Sequence, residues 1–138
     1  MNSQLTVYKA SAGSGKTFTL AKEYMTLVIE NPMAYRTILA VTFTNKATEE
    51  MKMRILSQLY GIAQGLEESN GYLEQIKIAL PHLSEEIIRK NAAEALRLLL
   101  HNYNYFRVQT IDTFFQGVLR NLARELDLTA NLRIGLND

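Results

Sequence analysis

Apolar residues along the chain fall into two alternating habits. Three short β-prone runs, at 4–10 (QLTVYKA), 36–43 (RTILAVTF) and 105–111 (YFRVQTI), each precede a longer stretch in which apolar residues recur every three or four positions. The runs predict strands and the stretches predict helices. After the first run, Leu20, Tyr24, Leu27 and Val28 share one helical face from Lys16 to about Asn31, where Pro32 stops the helix by disfavouring helical geometry in its predecessor. After the second, Ala47, Met51, Ile55 and Leu59 recur every four residues, with Thr44 or Asn45 as N-cap and Gly61 as the expected stop. The loop signal EESNG and a short helical pattern around YLEQIKIAL follow. Ser84 then caps a helix with Glu85 and Glu86 in its first turn, and Ile88, Ala92, Ala95, Leu96 and Leu99 form its apolar stripe to about His101. Behind the third run, a last helix is expected to turn Phe115, Val118, Leu119, Leu122 and Leu126 inward, and Phe115 reads as core. Strands alternating with helices predict an α/β fold, a parallel sheet flanked by helices, with 62–104 as a helical insertion.

Composition narrows the class. The 138 residues are 47% hydrophobic, enough for one domain with its own core, and contain no cysteine. Disulfides, thiolate metal sites and cysteine nucleophiles are thereby excluded within this chain. No long uncharged apolar run occurs, and the N-terminus lacks the basic-then-apolar order of a secretory signal, so a cytoplasmic protein with no membrane partner is expected. Net charge is +1, but residues 1–65 hold seven Lys/Arg against four Glu. So small a surplus suits a solvated face as well as a nucleic-acid surface. His82 and His101 lie far apart without clustered carboxylates, which argues against a metal site built from them.

The first strand-to-helix junction reads Ala10-Ser11-Ala12-Gly13-Ser14-Gly15-Lys16-Thr17-Phe18. It fits a phosphate-binding loop whose first glycine is replaced by Ala10. Gly13 and Gly15 permit close backbone approach, so that successive N–H groups can surround phosphate oxygens at a helix N-terminus. Lys16 would reach the β- and γ-phosphates, and the Thr17 hydroxyl would ligate Mg²⁺, making these two the candidate catalytic residues and ATP with Mg²⁺ the expected cofactors. The loop implies a P-loop NTPase three-layer fold. Many kinases and GTPases share it, so it does not fix the function.

The exit of the second strand, ILAVTFTNKATEEMKMRI (38–55), resembles motif Ia of UvrD/Rep-type superfamily 1 helicases, whose phosphate loop also normally opens with alanine. The segment VQTIDTFFQGVLR (108–120) is similar to that family's Thr-x-His-Ser-Phe segment. The long stretch between the two motifs looks most like the RecB/AddA recombination-repair branch. The resemblance implies the N-terminal part of a first RecA-like ATPase domain over residues 1–138, in an ATP-dependent DNA helicase or exonuclease subunit. It also implies single-stranded DNA at Thr42, Phe43, Thr44, Asn45 and Lys46, and at Thr110, Asp112, Thr113 and Phe114. Duplex DNA ends, engaged through the full-length protein, and a partner nuclease or helicase subunit belong to the same expectation. Asp112 departs from the family histidine, and a carboxylate repels phosphate unless it is turned away.

Without the resemblance, Phe43 reads as core and Thr44 and Asn45 as a helix cap. A motor also needs an Asp-Glu pair on a later strand and arginines from a second RecA-like domain, neither visible here; the chain is therefore expected to be a piece of a larger enzyme, inactive alone. Two rivals remain: a self-contained small P-loop kinase or regulatory ATP-binding module without DNA, and a DNA-binding adaptor without catalysis.

Overall fold

The structure is a computed structural model, and it describes residues 4–7 and 15–130, with side chains from 17 to 127. In chain order it contains β1 (Gln4–Val7), α1 (Gly15–Glu30), a 3-10 turn (Pro32–Thr37), β2 (Ile38–Thr42), α2 (Asn45–Gln64), α3 (Asn70–Ala79), α4 (Glu85–His101), β3 (Arg107–Thr110) and α5 (Ile111–Ala130). The strands form one parallel sheet in the order β1-β2-β3, in register Leu5 with Leu39 and Val41 with Gln109. Parallel pairing requires long crossovers. Here α1 supplies the first, and α2, α3 and α4 together supply the second. Among the described residues this is a partial α/β domain, predominantly helical.

Local chemistry fixes the ends of the elements. α1 stops where the Asn31 side chain accepts from the Met33 backbone N–H at 3.2 Å and Pro32 opens the 3-10 turn. That turn takes residues 36 and 37 away from the expected second strand. Thr44 is the N-cap of α2, its Oγ1 accepting from the Ala47 N–H at 3.0 Å, and Ser84 caps α4 through the Ile87 N–H at 3.2 Å.

Gly61 is not the stop of α2. The helix continues to Gln64 and ends at Gly65, whose φ of 76° is left-handed; the Leu66 N–H bonds Gly61 O and the Gly65 N–H bonds Ile62 O. This pair of bonds is a Schellman motif. Gly61 serves close packing instead, because a methyl group there would collide with the Ser69 hydroxyl and touch its Cβ.

One core joins the sheet, α1 and the insertion. Leu20, Tyr24, Met25, Met51, Ile55, Leu59, Ile76, Ile88, Leu99 and Phe106 are all buried in it. α4 lies chiefly on α2 and also against α1. From α4, Asn91 Nδ2 donates to Ile29 O at 2.8 Å and Arg89 Nη1 donates to Ile62 O at 2.7 Å. Both carbonyls belong to helix C-terminal turns that lack intrahelical donors. The insertion thus closes the ends of α1 and α2. Burial leaves the Tyr24 hydroxyl without a partner among the described residues and pushes its pKa up, so that it stays protonated.

The last helix departs from expectation. Phe115, Val118, Leu119, Leu122 and Leu126 lie on the outside of α5, not inward, and Phe115 is no part of the core. α5 touches β3 and β2 beside its start, and its stripe meets no layer among the described residues that could cover it.

Candidate nucleotide and nucleic-acid site

Because all strands are parallel, their C-terminal ends open on the same edge of the sheet, where α/β folds bind ligands. The three segments singled out by sequence leave from that edge: the loop after β1, residues 42–46 after β2, and residues 110–114 after β3. Ala10, Ser11, Ala12, Gly13 and Ser14 lie outside the described residues. Gly15 is the first residue of α1 and Lys16 its second, the Lys16 side chain lying outside the description. Thr17 is buried in the first turn. Phe18 follows it and is held flat against Tyr72 of α3, ring centroids 4.2 Å apart and planes 19° from parallel. The sequence pattern assigns Phe18 to the nucleotide; its described contact is to the insertion.

The N-terminus of α1 suits an anion. Its first turn contains no acidic residue, whereas α4 carries Glu85 and Glu86 there and α5 carries Asp112. A helix start offers unpaired N–H groups and partial positive charge, which first-turn carboxylates elsewhere neutralise. The starts of α1, α2 and α3 carry no such carboxylate, and those of α1 and α2 stand at this edge of the sheet.

At the end of β2, buried and exposed groups divide the work. Thr42 is 1% exposed, and its Oγ1 lies 2.6 Å from Thr48 Oγ1 and 3.4 Å from Gln109 O. The structure turns this hydroxyl into the protein, where it ties β2 to α2 and to β3. Phe43, the next residue, is 47% exposed and is not core. Thr44, Asn45 and Lys46 are exposed behind it. Thr44 Oγ1 caps α2, so its bond to Ala47 holds the turn that projects the Phe43 ring.

β3 repeats the arrangement. Thr110 is buried in register with Thr42; its Oγ1 donates to Thr113 Oγ1 at 2.9 Å and accepts from the Thr113 N–H at 3.1 Å. Asp112 is exposed in the first turn of α5, Phe114 is half-buried, and its ring meets that of Phe115 at 5.8 Å. The sheet therefore brings Phe43, Asn45, Lys46 and Asp112 to one solvent-facing edge. It keeps Thr42 and Thr110 beneath as supports.

Two contributors are silent in the sequence. Thr48 sits on the buried face of α2, and only the recurrence Thr42, Thr44, Thr48 hints at a hydroxyl cluster. Tyr72 belongs to a segment whose helical pattern carries no chemical signal. A shallow depression of about 760 Å³ runs along α2, lined by Glu49, Glu50, Met53, Arg54, Ser57 and Gln58. Its two carboxylates make it a poor phosphate site.

Among the described residues no group of three His, Cys, Asp or Glu could hold a metal, and no helix is long and apolar enough to cross a membrane. No solved structure matches the chain at a significant level. The A-type subunit of the ATP-dependent helicase/nuclease from Thermoanaerobacter sp. (strain X514) is 35% identical over 128 residues, which cover 91% of this chain and 8% of that protein. RecBCD enzyme subunit RecB of Haemophilus influenzae is 28% identical over 145 residues, 95% of this chain and 12% of that protein. RecB of Chlamydia pneumoniae is 40% identical over 74 residues, 53% of this chain and 7% of its own length. The chain thus spans about a tenth of these relatives. The profile of the UvrD/REP helicase N-terminal domain matches residues 1–136, and the chain belongs to that family.

Proposed function

We propose that this chain is the ATP-binding, single-stranded-DNA-contacting start of an ATP-dependent DNA helicase/nuclease, within a RecA-like, three-layer P-loop domain. The observation that carries the reading is the common edge: a helix start free of first-turn acids, an exposed Phe43 and the Thr110–Phe114 turn stand at the ends of adjacent parallel strands. Lys16 and the backbone N–H groups of residues 10–18 hold the triphosphate, and Thr17 holds Mg²⁺, which offsets phosphate charge. Phe43 stacks a base, while Asn45, Lys46 and the N-terminus of α2 hold the sugar-phosphate backbone. Such contacts ignore sequence, as a translocating motor requires. Thr42 and Thr110 act beneath the surface, holding the two turns in register.

The same reading makes duplex DNA ends a substrate of the whole protein, a second nuclease or helicase subunit its partner, and the cytoplasm its compartment. Relatives named for RecBCD and for a helicase/nuclease support it. A freestanding P-loop kinase would explain α1 but leave the exposed Phe43 and its capped turn without a role.

Calorimetry and fluorescence titration test both halves. ATP-Mg²⁺ binds the wild-type chain with negligible hydrolysis, and Lys16→Ala abolishes binding; equal affinity in the two removes the phosphate-loop assignment. Oligothymidine binding falls steeply with salt, and Phe43→Ala weakens it by about 1–3 kcal/mol without loss of folding stability. A Phe43→Ala chain that binds DNA normally limits the reading to the nucleotide.

A further inference from the structure

Tyr72 carries the insertion to the start of α1. Tyr72 on α3 is 4% exposed and lies flat on Phe18, which directly follows Thr17 in the first turn of α1. At the other end of the same ring, Arg54 Nη1 donates to the Tyr72 hydroxyl at 3.3 Å. Arg54 belongs to α2, whose N-terminus carries Asn45 and Lys46. Asn45 and Arg54 stand nine positions, about 14 Å, apart on this one uninterrupted helix.

We propose that Tyr72 is a positioning residue that sets the first turn of α1 and, through Arg54, links it to the DNA-side helix α2. The inference rests on the proposed function for the identity of the two ligands. Its basis is geometric. Stacking against Phe18 fixes the ring immediately beside Thr17, so a shift of α3 displaces the hydroxyl that would meet Mg²⁺. The Arg54 bond makes such a shift sensitive to the position of α2. α3 is itself held to α4 by the Lys77 ammonium, which bonds Glu85 at 3.0 Å, and α4 bonds the C-terminal carbonyls of α1 and α2. A tyrosine supplies both functions at once, an aromatic face for α1 and a polar tip for α2. Phenylalanine would keep the first and lose the second.

That separation defines the experiment. ATP-Mg²⁺ affinity of the whole chain is measured with and without saturating oligothymidine, for wild type, Tyr72→Phe, Arg54→Met and Tyr72→Leu, together with amide hydrogen exchange at residues 19–22, whose N–H groups bond the carbonyls of the first turn of α1. DNA should tighten ATP binding to wild type about fivefold or more, the usual lower bound of coupling between sites. Tyr72→Phe and Arg54→Met should keep ATP affinity in the absence of DNA within about twofold, yet reduce the DNA effect to below about twofold. Tyr72→Leu should lower ATP affinity itself by about fivefold and speed exchange at residues 19–22 ahead of the rest of the protein. Wild type that binds both ligands with no mutual effect, or Tyr72→Phe that retains the full effect, overturns the link. Exchange that rises evenly in Tyr72→Leu reduces Tyr72 to a core contact. Lys16→Ala binding ATP as wild type does would defeat the phosphate-loop reading, and the exchange pattern would still decide the role of Tyr72.

Discussion

α4 and α5 are two amphipathic helices of similar length with opposite fates. α4 places Ile88, Ala92, Ala95 and Leu99 against α2 and α1, all wholly buried, while α5 turns Phe115, Leu119, Leu122 and Leu126 to solvent. Their residues differ in a way that explains the contrast. Alanines at 92 and 95 let the α4 backbone approach its neighbours closely, and Asn91 and Arg89 bond carbonyls in the C-terminal turns of those neighbours. α5 has large side chains along its stripe and leaves the sheet at once from β3. An apolar period therefore reports that a helix has a face to cover. It says nothing of whether the cover is in the same chain.

The comparison is broken most directly by deleting the same side chain from both helices. Leu99→Ala should cost about 2–5 kcal/mol of unfolding free energy, the usual range for a buried leucine. Leu119→Ala should change stability by no more than about 0.5 kcal/mol, because its side chain, 62% exposed, loses almost no packing. Urea unfolding of the two variants checks this. Equal large losses would mean that α5 is covered in solution by a surface absent from the described fold.

Much of this architecture was legible because local chemistry and long-range packing agree. Thr44 and Ser84 cap where their side chains predict, and the α4 stripe is buried as its spacing requires. Structure and sequence pattern part where one residue type serves two purposes. Gly61 carries the signature of a helix stop, yet its missing methyl makes room for Ser69, and Gly65 four residues later supplies the left-handed turn. Phe43 and Phe115 are both apolar enough for a core, and only the positions of β2 and α5 decide that neither enters it. Thr42 read as a surface contact because its neighbours are, but strand alternation points it to Thr48. Tyr72 had no legible role, since its partners stand 54 and 18 residues away on other helices.

A smaller effect sharpens the picture of the closed half. Gly61→Ala gains about 1 kcal/mol of helix propensity but forces a methyl group onto Ser69, and overpacking a tight site costs about 1–3 kcal/mol. The steric term wins because the Ser69 Cβ, as well as its hydroxyl, stands in the way, so rotation of the serine gives only partial relief. A net loss of about 1 kcal/mol is expected, and adding Ser69→Gly should recover most of it. If Gly61→Ala is stabilising on its own, α2 and Ser69 are packed less tightly than the structure has them.

The smallest effect belongs to Asp112, at the open end of the comparison. Were β3 the strand that supplies a Mg²⁺-binding carboxylate, Asp112 would have to meet the metal held by Thr17. The sheet order opposes this: β2 separates β3 from β1, which puts β3 two strand spacings, about 10 Å, from the strand that feeds the phosphate loop. Asp112 is instead exposed in the first turn of α5, where its charge complements the helix dipole. Asp112→Asn should then cost about 0.3–1 kcal/mol of stability, screened by salt. ATP-Mg²⁺ affinity should stay within about twofold, a change of roughly 0.4 kcal/mol, and oligothymidine affinity should hold or rise as a like charge near phosphate is removed. Calorimetry on the folded variant decides between the placements. A tenfold loss of ATP-Mg²⁺ affinity with unchanged DNA binding would put Asp112 on the metal, and the DNA edge would then have to be drawn without the turn after β3.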